Sequence, residues 1–278
     1  MGVIEYQESL SQTERHIGSV LRYHEHSMAS ENAALPADEI RRRIGEFEWY
    51  HRIDFGGGIV TQGTYDLEPI LENYGIPESL AGKTVLDVGP GHGYFAFEFE
   101  RRGAAKVVTA ELPSWTDHDA SPSQKALFAS MREQGEAYHQ GAFGFAIQAK
   151  GSRLERRFCN VYDLTPERIG TFDLVFCASV LLHLTDPLRA LYGLRRVCRD
   201  QAIICTGIDT HLLATAQSSA RFIGTRDGHA FWLPTMTCLE QMVLAAGFGR
   251  CERVSTFRLK STDQKLDTPH GTVRAYVS

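Results

Sequence analysis

The segment Thr84-Val-Leu-Asp-Val-Gly-Pro-Gly-His-Gly93 restricts the possible folds of this chain more than any other stretch. Apolar residues and one aspartate run directly into glycines at 89, 91 and 93, and Tyr94 to Arg102 then reads as a helix. A buried strand, a glycine turn and a helix N-terminus form a cradle for a nucleotide-type cofactor. Glycines let a ligand approach the backbone closely. The spacing Gly89-x-Gly91-x-Gly93 differs from the dinucleotide pattern, whose third glycine stands three residues after the second. A second apolar run, Lys106 to Leu112, ends in Glu111, placed to take the hydroxyls of a ribose.

From Lys83 onward strand and helix patterns alternate. Strands are expected at 84–89, 106–112, 156–162, 172–179 and 201–208, followed by 251–259 and 272–277 with no helix between them. Five alternating strands and a closing hairpin imply an α/β fold: a Rossmann-like, doubly wound seven-stranded sheet with one reversed strand. Phe95, Phe97 and Phe99 alternate like a strand, but a strand there would lack a crossover, so helix is expected. Asp186-Pro187 marks a helix start, and Thr237-x-x-Glu240 reads as a capping box with Gly247 as its stop. Pro36 with Asp38 and Glu39 opens an earlier helix. Residues 1–80 form an expected helical N-terminal extension and possible active-site lid, and 81–278 the cofactor-binding domain. The long connections 113–155 and 209–236 are where substrate loops grow, with 114–119 and 221–234 as candidate lids.

The glycine segment with Asp87 resembles motif I of the class I S-adenosylmethionine-dependent methyltransferases. That resemblance implies S-adenosyl-L-methionine as cofactor. It implies that Gly89, Gly91 and Gly93 pass beneath the methionine part and that Asp87 orients its amino group. Glu111 matches the ribose-binding acid and Leu112 an adenine contact. Asn160 and Val161 match the residues flanking adenine, and Ser179 lies in the stretch matching the fourth strand and transfer loop. For Asp163, a turn residue is as good a reading as an adenine contact. His183 follows the fourth strand, where related enzymes face the methyl group. It is the first catalytic candidate, although a histidine that holds the loop by a backbone hydrogen bond is the simpler reading. His51 is the second candidate.

Upstream, Glu48-Trp-Tyr-His-Arg-Ile-Asp-Phe-Gly-Gly-Gly-Ile-Val-Thr-Gln-Gly63 has two aromatics and a histidine before three glycines. A close backbone approach or a hinge at Gly56–Gly58 is expected. With this segment included, residues 47–250 resemble the tRNA wobble-uridine carboxymethyltransferase (CmoB-like) group. That family holds a carboxylated cofactor by basic and tyrosyl side chains. Here Gly56 to Asp66 carries no lysine or arginine, and Leu182 stands in place of the tyrosine. A second carboxylate would lack a cationic partner, so ordinary S-adenosylmethionine and methyl transfer are expected.

The 278 residues carry a formal net charge of -5, which supplies no global attraction for nucleic acid. Arg41–Arg43 and Arg101–Arg102 read as solvated helix faces. No run reaches the ~18 apolar residues of a membrane span, and no signal-peptide core or myristoylation pattern opens the chain. Six isolated cysteines suit buried thiols in a reducing cytoplasm, and His24 and His26 lack metal-ligand spacing. The expectation is therefore a cytoplasmic methyltransferase acting on a small-molecule acceptor, with the Trp, Tyr and His content near 49–51 and 229–232 suiting an aromatic or heterocyclic one. The alternative is a tRNA wobble-uridine-modifying transferase. Composition leaves the oligomeric state open.

Overall fold

Seven strands hydrogen-bond in the order β3-β2-β1-β4-β5-β9-β8. The computed structural model describes residues 33–211, 217–225 and 229–278, without the side chain of His139. The readings of the first residues, His24 and His26 among them, lie outside these. The strands are β1 (Thr84–Val88), β2 (Lys106–Glu111), β3 (Glu155–Phe158), β4 (Phe172–Ala178), β5 (Cys198–Gly207), β8 (Arg250–Lys260) and β9 (Asp267–Tyr276). β6 (Ala220–Phe222) and β7 (Trp232–Pro234) form a separate hairpin. β1 to β5 pair in parallel, and β9 runs antiparallel to both β5 and β8. The expected single reversal is thus β9.

Alternation of side chains gives the sheet two apolar faces. Leu86, Val175, Cys177 and Ile204 join one core with Leu191 and Leu194 of α7 and Leu239 of α8. Val85, Leu174, Phe176 and Ile203 join the other with Phe95 and Phe99 of α2. The helices are α1 (Ala37–Arg43), α2 (Tyr94–Arg101), α3 (Pro122–Ser130), α4 (Arg132–Glu136), α5 (Phe143–Lys150), α6 (Pro166–Ile169), α7 (Pro187–Val197) and α8 (Met236–Ala245).

The phenylalanine alternation has a structural cause. Phe95 and Phe99 lie one turn apart and meet Phe176 of β4, with ring centroids at 4.6 and 5.2 Å. Phe97 points the other way and meets Phe143 of α5. The 113–155 connection covers the outer face of α2, so this helix is apolar on both sides.

Three local expectations need correction. β3 ends at Phe158 rather than 162, and Asn160 caps a short 3-10 turn, Val161–Asp163, by accepting the Tyr162 amide proton at 3.0 Å. The start of α8 is capped by Thr235, whose hydroxyl accepts from the Cys238 amide. The expected box glutamate, Glu240, instead pairs with Arg253 at 2.6 Å. In the arginine clusters Arg41, Arg42 and Arg101 are exposed as expected, and the departures are Arg43 and Arg102. Arg43 reaches Glu39 and Glu46, while Arg101 and Arg102 share Glu98, with the Arg43 and Arg102 side chains only 14% and 13% exposed.

Helix within the described part of the N-terminal region is confined to α1 and the 3-10 segments Ile44–Glu46 and Glu68–Tyr74. The rest is extended chain and turns. Residues 34–278 cluster as one compact unit. Ile40, Trp49, Ile53, Leu67 and Tyr74 are buried in the same core as Val85 and Phe95.

Candidate functional site

The C-terminal end of β1 feeds a turn in which Gly89, Gly91 and Gly93 all have positive φ, at 72°, 56° and 87°. Side chains other than glycine rarely adopt these angles. Space is short as well as strained. A Cβ on Gly91 would come within 2.9 Å of His51 Cε1, and one on Gly93 within 2.2 Å of the Phe143 ring.

Two buried carboxylates flank the turn. Asp87 is 1% exposed, and its Oδ2 has no hydrogen-bond partner among the described residues. Burial first, and then the charge of Glu111, pushes its pKa up to about 8. Glu111 is held by Arg156, whose Nε donates to Oε1 at 2.7 Å, while Oε2 is buried without a partner. Burial raises its pKa against the pull of Arg156. Unpaired buried acceptors are costly. An ammonium at Asp87 and ribose hydroxyls at Glu111 would satisfy both, so these residues fit S-adenosylmethionine. Leu112 follows β2 directly, and Val161 opens the 3-10 turn after β3 with its side chain buried in the core. Asn160 Oδ1 is committed to its cap.

Ser179, just past β4, has φ of 56°, one of two non-glycine residues among those described with a positive φ. Strain of this kind collects at functional sites. Its Oγ lies 3.1 Å from His270 Nε2. His270 Nδ1 lies 3.0 Å from the Thr268 carbonyl, which can only accept, so Nε2 is the acceptor and the Ser179 hydroxyl donates to it. His270 was not legible as a site residue, because only strand pairing brings it to β4.

The segment 49–65 crosses the glycine turn. His92, fully buried, holds it there, since its Nδ1 accepts the Tyr50 amide proton at 2.9 Å. Further along, Tyr50 and Trp49 accept from the Tyr65 and Thr64 amides, closing a narrow ribbon. Gly63 permits that closure, because a Cβ there would meet the His51 carbonyl carbon at 2.0 Å. The close approach expected at Gly56–Gly58 therefore falls at Gly63. The three earlier glycines have open space around them and serve a tight turn with φ of 83°, 58° and 75°. His51 is buried over Gly91, its Nδ1 without a partner, and burial lowers its pKa to about 3.

His183 lies elsewhere. Its Nδ1 is 2.8 Å from the His229 carbonyl, and the two imidazoles stack at 5.2 Å. Burial lowers its pKa to about 4. The hairpin 220–234 is tied to the same loop through Phe231 N–H to the Leu182 carbonyl and Trp232 Nε1–H to the Thr185 carbonyl. The other expected lid is fixed by Asp119, which accepts from the Tyr162 and Thr185 hydroxyls and the Thr185 amide. Asp163 forms ion pairs with Arg168 and Arg189.

A seven-stranded sheet with one reversed strand, a glycine turn and two buried carboxylates, each with one buried oxygen lacking a partner, define a Rossmann-like methyltransferase. Residues 61–249, more than half of the chain, match the sequence profile of a methyltransferase domain family, and the chain belongs to that family. It is an S-adenosylmethionine-dependent methyltransferase. Over 208 residues it is 24% identical to a ubiquinone biosynthesis O-methyltransferase of Neisseria meningitidis, covering 71% of this chain and 72% of that one. It is 23% identical over 190 residues to a tRNA U34 carboxymethyltransferase of Helicobacter acinonychis, covering 67% of this chain and 64% of that one. The N-terminal domain of EvdMO1, solved in the presence of SAH (S-adenosylhomocysteine) and D-fucose, superposes with a TM-score of 0.62 at 17% identity, over 90% of this chain and all of that one. Among the described residues no helix is long and apolar enough to cross a membrane, and no cluster of three or more metal-binding side chains occurs.

Proposed function

We propose that the chain transfers a methyl group to a small-molecule acceptor. The observation that carries this reading is the covering of both the glycine turn and the loop that follows β4. The 49–65 ribbon lies across the turn, and the 114–119 and 220–234 segments are hydrogen-bonded to the Leu182–Thr185 loop. Such covers exclude water and suit an acceptor that enters whole. Bound S-adenosylmethionine supplies a sulfonium-activated methyl group. The protein has to hold the acceptor in line with it and receive any proton released.

His183 is suited to that last task. The His229 carbonyl can only accept, so the proton of the neutral imidazole sits on Nδ1 and the lone pair on Nε2. His51, over the glycine turn, belongs with the cofactor.

The relative that modifies tRNA supports a second reading, in which the acceptor is a wobble uridine. Charge weighs against it. Arg41, Arg52, Arg101, Arg102, Arg156 and Arg221 all sit in ion pairs with carboxylates of this chain. Leu182 is buried, and no cation lies in Gly56 to Asp66 for a carboxylated cofactor. Incubation with methyl-labelled S-adenosylmethionine, hydroxylated aromatic and heterocyclic acceptors, and separately bulk tRNA decides between the readings. Label in a small molecule supports the first, and label in tRNA alone refutes it.

A further inference from the structure

Between the β6–β7 hairpin, α7 and α8 lies a partly enclosed cavity of about 300 Å³. Leu181 of the loop after β4, Leu188 of α7, and Leu239 and Met242 of α8 line it, with Ala220 and Trp232 of the hairpin against them. It shares no lining residue with the space beside Asp87, Gly89 and Ser179. Two of its walls turn different side chains to different sides. In the loop, Leu181 and Thr185 line the cavity, while Leu182 packs towards Gly207 and His183 stacks on His229. In the hairpin, Ala220 and Trp232 line it, while Leu233 packs towards Gly207 and Arg221 reaches Asp209. The cavity thus backs the loop and the hairpin from the side away from His183.

Thr185 and Asp186 are the polar members of the lining, and both are engaged within the fold. The Thr185 hydroxyl donates to Asp119 and its carbonyl accepts Trp232 Nε1–H, while Asp186 Oδ1 accepts the Arg189 amide proton. A buried water needs two to four polar partners, which these committed groups do not offer. Protein interiors hold few voids larger than a water molecule, because the walls of an empty one forfeit dispersion contacts. The volume instead falls at the lower end of the range for small-molecule sites. We propose that this cavity is a binding site, separate from the glycine turn, for an uncharged apolar molecule of roughly ten non-hydrogen atoms at about 30 Å³ each: an aromatic ring or a short hydrocarbon chain. Trp232 has its one donor committed and serves as an apolar wall. No lysine or arginine lines the cavity, so an anion would meet Asp186 without a counter-charge. Occupied, the cavity braces the loop that carries His183 and the 220–234 hairpin against α7 and α8. The inference holds whichever acceptor is methylated.

The test uses n-butylbenzene as the apolar probe and benzoate as a charged control of similar size, each added to the full chain with and without S-adenosylhomocysteine. n-Butylbenzene should raise the melting temperature in a saturable way. It should also shift tryptophan fluorescence in the parent and not in Trp232→Phe. Benzoate should bind at least tenfold more weakly. Ala220→Phe and Met242→Phe fill the space from two different walls, so loss of the fold in one leaves the other to decide. A folded variant should bind n-butylbenzene at least tenfold more weakly and keep the parent's affinity for S-adenosylhomocysteine. No binding of n-butylbenzene, equal binding of benzoate, or undiminished binding in a folded variant would overturn the proposal. Displacement of the probe by S-adenosylhomocysteine would merge the cavity with the cofactor site, and self-association that sedimentation shows lost on filling would give it to a second copy of the chain. Either result would overturn the proposal as well. Failure of the small-molecule reading would leave it untouched, because no acceptor is present.

Discussion

The imidazole of His92 bridges the two covers of the glycine turn: Nδ1 accepts the amide proton of Tyr50 at 2.9 Å, and Nε2 lies 3.0 Å from the Tyr138 carbonyl. The carbonyl can only accept, so Nε2 carries the proton and Nδ1 is left as the acceptor that Tyr50 needs. One neutral ring thereby ties the ribbon on one side to the π-helical turn Ala137–Ala142 on the other. His92→Ala should cost about 2–6 kcal/mol, since it leaves a buried amide and a carbonyl unpaired at ~1–3 kcal/mol each. It should also increase proteolytic cleavage within 49–65. Denaturant titration and limited proteolysis check this, and a change confined to other segments would count against the bridge.

The same ring sets a pH dependence. Burial lowers the pKa of His92 to about 4, against about 6.5 in an unfolded chain. Its neutral form is required in the fold, so the stability it gives is complete above about pH 6.5 and is lost as pH falls towards about 4. His51 and His183 are shifted the same way. The melting temperature should therefore fall steadily between these limits. A flat profile from pH 7 to 4 would show that these rings are not held neutral.

Asp87 acts in the opposite sense. Its pKa of about 8 lies above the unfolded value, so it favours the free fold at low pH, and this contribution is lost as pH rises through about 8. A cofactor ammonium beside it should drive ionisation. Binding of S-adenosylhomocysteine at pH 7 is expected to release close to one proton, and affinity should rise with pH up to about 8. Calorimetry in buffers of different ionisation enthalpy measures this. No proton release, or the same release in Asp87→Asn, would contradict the assignment.

The strand pattern was legible because β1, β2, β4 and β5 are buried on both faces and so read as apolar runs between turn residues. The site was legible where it is local in sequence, as in Asp87 to Gly93 and Glu111. What was not legible depends on distant partners. His92 meets an amide 42 residues away, and His270 reaches Ser179 across 91. The cap expected at Thr237 falls at Thr235 instead, and Glu240, expected to complete the box, is held by Arg253 of β8, a partner distant in sequence. Glycine content alone did not separate a turn at Gly56–Gly58 from the close contact at Gly63.

His183→Ala should lower kcat by ~10²-fold or more if its Nε2 receives the acceptor proton, and the acidic limb of the pH–rate profile should vanish with it. A loss of thermal stability with kcat intact would assign His183 to holding the 220–234 hairpin alone.

Glu111→Ala should weaken S-adenosylhomocysteine binding at least tenfold, with ~1.5–3 kcal/mol for each hydrogen bond to a charged group. The fold should survive, because Arg156 keeps its bond to the Gln140 carbonyl. Unchanged affinity would mean that the end of β2 does not meet the ribose.

The most direct measurement is thermal unfolding with S-adenosylmethionine, S-adenosylhomocysteine or NAD added. The two sulfur compounds should raise the melting temperature, with stabilisation of ~2.7 kcal/mol at about 100 times the dissociation constant, and NAD should leave it unchanged. Equal stabilisation by NAD, or none by the sulfur compounds, would contradict the placement of the cofactor at Gly89–Gly93, Asp87 and Glu111.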